Sequence, residues 1–182
     1  MIFAKMAERK GGVYARYDGR PYTRQSERVP RVNYVRGVPR PKIQTYQIGD
    51  QRTEFEYEVA IRAEEPVQIT HRALEASRVA ATKTMGTAAG ASFFLRVYPY
   101  PHHVLRENPQ ATGAGADRFQ QGMSRAFGKA IGTAARIRIG QKVVGIKVNE
   151  DRIDLAKEAL RKAKMKLPCK VSTVILKLKQ AK

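Results

Sequence analysis

The sequence predicts an α+β fold: a mixed or antiparallel sheet with two helices packed on it over residues 50–182, preceded by an extended basic arm over residues 1–49. Three observations predict it. Several short runs alternate apolar with polar residues, the period of half-buried strands. Two longer segments repeat their apolar residues at helical spacing instead. The first segment shows neither pattern and is broken throughout by glycine and proline.

In that arm Gly11, Gly12, Gly19, Pro21, Pro30, Gly37, Pro39 and Pro41 interrupt every candidate helix. Arg16, Arg20, Arg24 and Arg28 recur every four residues, but Gly19 and Pro21 fall among them, so no continuous helical arginine face is expected. Tyr14, Tyr17, Tyr22, Tyr34 and Tyr46 are interleaved with the arginines. Guanidinium groups fork onto phosphates and stack, with aromatic rings, on splayed bases, so the mixture suits irregular RNA better than a duplex groove. The competing reading is a solvated tail. Val29, Val32, Val35 and Val38 speak against it and imply partial docking.

The body begins with Phe55, Tyr57, Val59 and Ile61 alternating with Glu54, Glu56, Glu58 and Arg62, a strand whose acidic face is expected to point away from RNA. Pro66 ends it. From Thr70 to about Thr84, Ala73, Leu74, Ser77, Val79 and Ala80 mark a helix that Gly86 and Gly90 are expected to stop. Phe93 to Tyr98 reads as a strand closed by Pro99 and Pro101. Residues from about 99 to 122 show little periodicity and much Pro and Gly; a loop this long inside a domain is a functional candidate.

Ala135, Ile137 and Ile139 then alternate with Arg136 and Arg138, and Val144, Ile146 and Val148 with Gly145 and Lys147, giving two strands joined near Gly140 with a basic polar face. Asn149 is placed to cap a helix whose buried stripe is Ile153, Ala156, Ala159, Leu160 and Ala163. Glu150 and Asp151 at its start and Arg161, Lys162 and Lys164 at its end complement the helix dipole. Beyond Pro168, the β-branched run from Val171 to Leu178 is the last strand.

Charge points to the partner. The chain carries 35 Lys and Arg against 16 Asp and Glu, a net charge of +19 over 182 residues, which a polyanion would neutralise with release of counterions. The excess sits in the arm and in the acid-free segment from Arg161 to Lys182, flanking an acidic patch from Asp50 to Glu65.

Other classes lose ground. The longest uncharged stretch, Thr84 to Leu95, is far shorter than the roughly 20 apolar residues of a membrane span, so neither a membrane partner nor a membrane segment is expected. The N-terminus lacks the apolar core of a secretory signal, and with Cys169 as the only cysteine a cytoplasmic location is expected.

His102 and His103 are adjacent and lack metal-spaced partners, and Gly113-Ala-Gly115 lacks the rest of a phosphate-loop pattern. Glu54, Glu56 and Glu58 read as a solvated or partner-facing edge rather than an acid/base set, His71 as a first-turn or helix-surface residue, and Cys169 as a buried or incidental thiol despite Lys166 and Lys170 nearby. No catalytic residue, metal, cofactor or small-molecule substrate is expected.

Four strings carry a resemblance: Arg36-Gly-Val-Pro-Arg-Pro-Lys-Ile-Gln-Thr-Tyr-Gln-Ile-Gly49, Ala114-Gly-Ala-Asp-Arg-Phe-Gln-Gln-Gly-Met123, Ala126-Phe-Gly-Lys129 and Ala135-Arg-Ile-Arg-Ile-Gly-Gln141. The chain resembles, over essentially its whole length, the L-ten-e/L-sixteen family of large-subunit ribosomal proteins. It resembles the archaeal branch in ending soon after the last strand.

The resemblance implies a single α/β hammerhead-like domain that binds large-subunit rRNA, helps shape the aminoacyl-tRNA site and is not itself a catalyst. The implied partners are that rRNA, tRNA in the aminoacyl and peptidyl sites, and neighbouring ribosomal proteins. It places Pro101 to Thr112 nearest tRNA, with His102, His103, Arg106, Asn108, Gln110 and Thr112 as the candidates. Arg36, Arg40, Lys42, Arg118, Gln121, Arg125 and Lys129 carry over to rRNA contact, joined on charge by Arg16, Arg20, Arg24, Arg28, Arg31, Arg136 and Arg138. Asp117, with Gly113 and Gly115, would order a turn, and an Asp117–Arg118 ion pair is the alternative to a phosphate contact. An RNA-modifying enzyme, or a DNA-packaging protein, is the competing class; neither a cofactor motif nor a groove-reading helix is present.

Overall fold

Two antiparallel sheets share the strands of the computed structural model, which describes residues 11–17, 19–23, 35–89, 92–108, 118 and 122–178. The elements are β1 (Gln47–Gly49), β2 (Tyr57–Ala63), β3 (Val67–Thr70), α1 (His71–Ala89), β4 (Phe94–Val97), β5 (His103–Glu107), β6 (Lys129–Ile137), β7 (Lys142–Val148), α2 (Ile153–Lys164) and β8 (Val171–Lys177), with 3-10 turns at Gly11–Tyr14, Gly122–Arg125 and Glu150–Arg152. The larger sheet runs β1-β4-β7-β2-β8 and the smaller β3-β6-β5. The predicted α+β class with two helices stands, divided between two sheets.

Alternation decides which face of each strand is buried. In β2, Val59, Ile61 and Ala63 turn inward beside Ile146 and Val144 of β7, and α2 covers them with Ala156, Ala159, Leu160 and Ala163. Small alanines on that face bring helix and sheet close. The helices pack on each other, and α1 lays Leu74, Ala81 and Met85 into the same core. Val67, Ile69, Ala135 and Ile137 supply the small sheet's contribution.

Several local expectations are corrected. The helix α1 runs through Gly86 to Ala89, because burial of Met85 offsets the roughly 1 kcal/mol that a helical glycine costs. Its start is set by Thr70, whose Oγ1 accepts the Ala73 N–H at 3.3 Å. Asn149 is extended but makes no side-chain cap; a 3-10 turn bridges it to α2, with Arg152 N–H donating to the Asn149 carbonyl at 3.1 Å. The strands on either side of Gly140 do not pair with each other: β6 belongs to the small sheet and β7 to the large one, so Gly140, at φ +78°, is a crossing between sheets. Three strands are absent from the sequence reading: β3 and β5 complete the small sheet, and β1, within the predicted arm, pairs with β4 at the edge of the large one.

Glu58 is the other correction. It is buried rather than solvated: Lys142 Nζ lies 2.6 Å from Oε2 and the Tyr98 hydroxyl donates to Oε1, over Gly145 on the outer face of the large sheet. Burial, then this hydrogen bond, pushes the Tyr98 phenol far above its ordinary pKa. A lysine on β7 and a tyrosine just past β4 compensate the carboxylate, which is what a buried charge requires.

Candidate nucleic-acid interface

The arm crosses the small sheet and is fastened at both edges. At one edge the Gln68 N–H of β3 donates to the Ala15 carbonyl at 2.8 Å; at the other the Val104 N–H of β5 donates to the Tyr22 carbonyl at 2.7 Å. The Tyr22 N–H donates to His103 Nδ1 at 2.9 Å, the Gln68 side-chain amide donates to the Tyr14 carbonyl at 3.1 Å, and the Tyr14 hydroxyl donates to Glu107. The segment is extended, as its glycines and prolines dictate, yet packed through backbone groups.

Between these anchors lies the sheet face turned away from the core. Register puts Gln68 opposite Arg136, and Ala134 between Thr70 and His103. Arg136 reaches the arm: its Nη1 donates to the Gly19 carbonyl at 2.7 Å, its Nε to Gln68 Oε1 at 3.4 Å, and its guanidinium lies 4.5 Å from the centre of the Tyr17 ring. Arg106 sits between Tyr22, at 4.1 Å, and Phe127, at 3.9 Å. Burial, followed by the charges of Arg136 and Arg106, lowers the His103 pKa to about 4, leaving the imidazole neutral at pH 7.

A second aromatic group lies near the ends of β1 and β4. Tyr46 and Tyr100 have ring centres 4.3 Å apart, and His102 stacks on Tyr100 at 6.0 Å. Tyr100 and His102 are exposed, the arrangement of a base-stacking platform.

The predicted residues divide as follows. Arg16, Arg20, Arg106, Arg136 and His103 come together around the arm, while His102 joins the Tyr46–Tyr100 stack. His103 and Arg106 stand on β5 rather than in an irregular loop, because pairing with β6 overrides the weak periodicity around them. Asn108 follows β5, its amide donating to the Arg125 carbonyl at 3.4 Å. Arg125, Arg118, Lys129 and Arg138 are exposed. Arg36, Arg40 and Lys42 are exposed as well, beside the buried anchors Val35 and Ile43, and the Lys42 N–H donates to His71 Nδ1 at 2.7 Å. His71 is therefore a buried first-turn residue of α1. Arg24, Arg28, Arg31, Gln110, Thr112, Gly113, Gly115, Asp117 and Gln121 lie outside the described residues.

Gln68, Tyr100 and Phe127 were not singled out by sequence reasoning. Phe127 stands inside one of the resemblance strings, a signal for it, whereas Gln68 lies in a four-residue run too short to establish a period. Among the described residues no helix is long and apolar enough to cross a membrane, and no cluster of potential metal ligands occurs.

Comparison with known proteins agrees with the resemblance. Residues 18–174 match the family described as ribosomal protein L16p/L10e. The large ribosomal subunit protein uL16 of Hyperthermus butylicus is 46% identical over 165 residues, 90% of this chain and 88% of its own length. The uL16 protein of Thermoplasma acidophilum is 45% identical over 176 residues, 96% of each chain. That of Methanococcus maripaludis is 43% identical over 176 residues, 96% of this chain and 98% of its own. With a fold of two helices on antiparallel sheets, a guanidinium-rich arm and matches that span nearly the whole chain, the protein belongs to the L16p/L10e family of ribosomal proteins.

Proposed function

We propose that the protein binds large-subunit rRNA through its arm and the exposed cations of the small sheet, and helps shape the aminoacyl-tRNA site. Its coarser role rests on the family: it is a structural protein of the large ribosomal subunit and not an enzyme. The observation that carries the RNA reading is the docked arm, which sets arginines and tyrosines against a basic sheet face with backbone bonds at both edges. Phosphate contacts from Arg16, Arg20, Arg36, Arg40, Lys42, Arg118, Arg125, Lys129, Arg136 and Arg138 position the protein, as backbone contacts do in RNA recognition generally. The segment after Asn108, carrying Gln110 and Thr112, meets tRNA in this reading, with His102 on its aromatic stack at the near side.

In-cell UV crosslinking of the tagged chain, with sequencing of the attached RNA and sedimentation of the lysate, tests it. Recovery in large subunits, crosslinked to large-subunit rRNA around the tRNA cleft, is expected. Crosslinks scattered over unrelated RNAs or DNA would overturn the reading.

A further inference from the structure

A cavity of about 200 Å³ opens between the arm and the small sheet, with Arg16 and Arg20 on the arm side and Arg106, Arg136 and His103 on the sheet side. Four arginines line it. Among the described residues none of the four forms an ion pair with a carboxylate. Their charges stay uncompensated by any carboxylate among the described residues, and the contacts that hold Arg106 and Arg136 do not change that. Arg136 is fixed by the Gly19 carbonyl and the Tyr17 ring, and Arg106 by the Tyr22 and Phe127 rings; these orient the planes without cancelling the charges. Because His103 Nδ1 accepts the Tyr22 N–H, the proton of the neutral ring is on Nε2, one more donor and no competing acceptor.

We propose that this cavity binds a single phosphate group of an RNA backbone, gripped from the arm by Arg16 and Arg20 and from the sheet by Arg106 and Arg136. An anion is favoured over a base because Tyr17 and Tyr22 already carry guanidinium groups on their rings. Forked donors match phosphate oxygens in number and geometry. A ligand that bridges both walls also fastens the arm, so arm docking and RNA binding stabilise each other. The inference rests on the RNA-binding reading and names where one phosphate sits.

The test measures the salt dependence of binding between the full-length chain and a large-subunit rRNA transcript. Arg16→Gln, Arg20→Gln and the double variant leave the core intact, since both side chains are exposed on the arm. If both arginines hold one phosphate, each variant lowers the slope toward a common loss of about 0.7–0.9, and the double variant loses no more. Lys157→Gln, whose lysine is paired with Asp154 on α2, leaves the slope unchanged.

Side-chain NMR of Arg106 and Arg136 reports the sheet wall directly. Their Nε–H signals shift on adding inorganic phosphate at constant ionic strength, and RNA displaces that phosphate. A double variant that loses twice the single effect means two separate phosphates and overturns the shared cavity. Unchanged slopes with rRNA binding retained overturn the cavity while leaving the proposed function standing; absence of rRNA binding by the unmodified chain overturns the proposed function itself. Phosphate binding that RNA does not displace assigns the site to the free ion and overturns the RNA assignment.

Discussion

The guanidinium of Arg106 lies 3.9 Å from the centre of the Phe127 ring, with Tyr22 of the arm 4.1 Å from the same cation. One side chain of β5 thereby joins two segments more than a hundred positions apart in the chain. Phe127 is 58% exposed, so the pair belongs to the weaker, solvated class of cation–π contacts, worth about 0.5–1 kcal/mol. A double-mutant cycle over Arg106→Gln and Phe127→Ala, read by urea unfolding, is expected to return a coupling of that size. A coupling of zero would show that the rings merely lie alongside the cation.

Acid is expected to release the arm. The His103 pKa is held at about 4, against an ordinary value of 6.5, first by burial and then by Arg136 and Arg106. A depressed pKa means that the unfolded or undocked chain takes up the proton first. The stabilisation is thus full above pH 6.5 and is lost as the pH falls through 4. Protonation also removes the Nδ1 acceptor used by the Tyr22 N–H. Hydrogen exchange at the Tyr22 and Val104 amides, corrected for intrinsic rates, should quicken over this window, and His103→Gln should flatten the response. Protection that stays constant down to pH 4 would contradict the account.

Two glycines with positive φ separate close approach from backbone strain. At Gly49, φ +100°, an added Cβ would stand 1.9 Å from the Phe93 carbonyl oxygen, which also accepts the Asp50 N–H at 2.9 Å. At Gly140, φ +78°, an added Cβ meets nothing within 4 Å. Gly140→Ala should therefore cost only the left-handed strain, about 1–2 kcal/mol. Gly49→Ala must also push β1 off β4, at about 3–5 kcal/mol. Chemical denaturation of the two variants should separate them in that order.

On the outer face of the large sheet, Glu58→Ala leaves the Tyr98 hydroxyl and Lys142 without their shared acceptor. Lys142 retains 27% of its side-chain exposure and can turn to water, which limits the loss to about 1–3 kcal/mol. Tyr98→Phe removes one hydrogen bond and should cost about 1 kcal/mol. Urea midpoints that place Tyr98→Phe below Glu58→Ala would reverse the assignment of Glu58 as the centre of the group.

The Cys169 thiol should react slowly. Burial, and behind it the charge of Glu65, raises its pKa to about 11, so the nearby lysines do not activate it. Alkylation at pH 8 should be markedly slower in the folded chain than in urea. Equal rates would mean that the thiol is open to solvent.

What the sequence made legible follows from how much chain each feature needs. The α2 stripe spans three turns, and the alternations of β2 and β7 repeat often enough to be read directly. By contrast, β6 shows alternation only at its C-terminal end: it begins at Lys129, well before the Ala135 that the pattern marks, and Ile139 falls outside it. The strands β3 and β5 have four and five residues, too few to establish a period, and prolines lie just before β5. Pairing with β6 makes both of them strands, a long-range cause that local pattern does not contain. Glu58 misled for the same reason: alternation placed it on the outer face, but only the fold brings Tyr98 and Lys142 over it. Around the arm, composition singles out the arginines as cations, whereas the pairing of Arg136 with Gly19 and of Arg106 with Phe127 depends on where the arm crosses.

The two edge fastenings of the arm also bear on how the chain behaves alone. An exposed strand edge is a template on which another chain can add a strand and begin to aggregate. Ala15 and Tyr22 occupy outward amides of β3 and β5, the two border strands of the small sheet. A newly made chain that docks its arm thus hinders strand addition by its own siblings at both borders of that sheet.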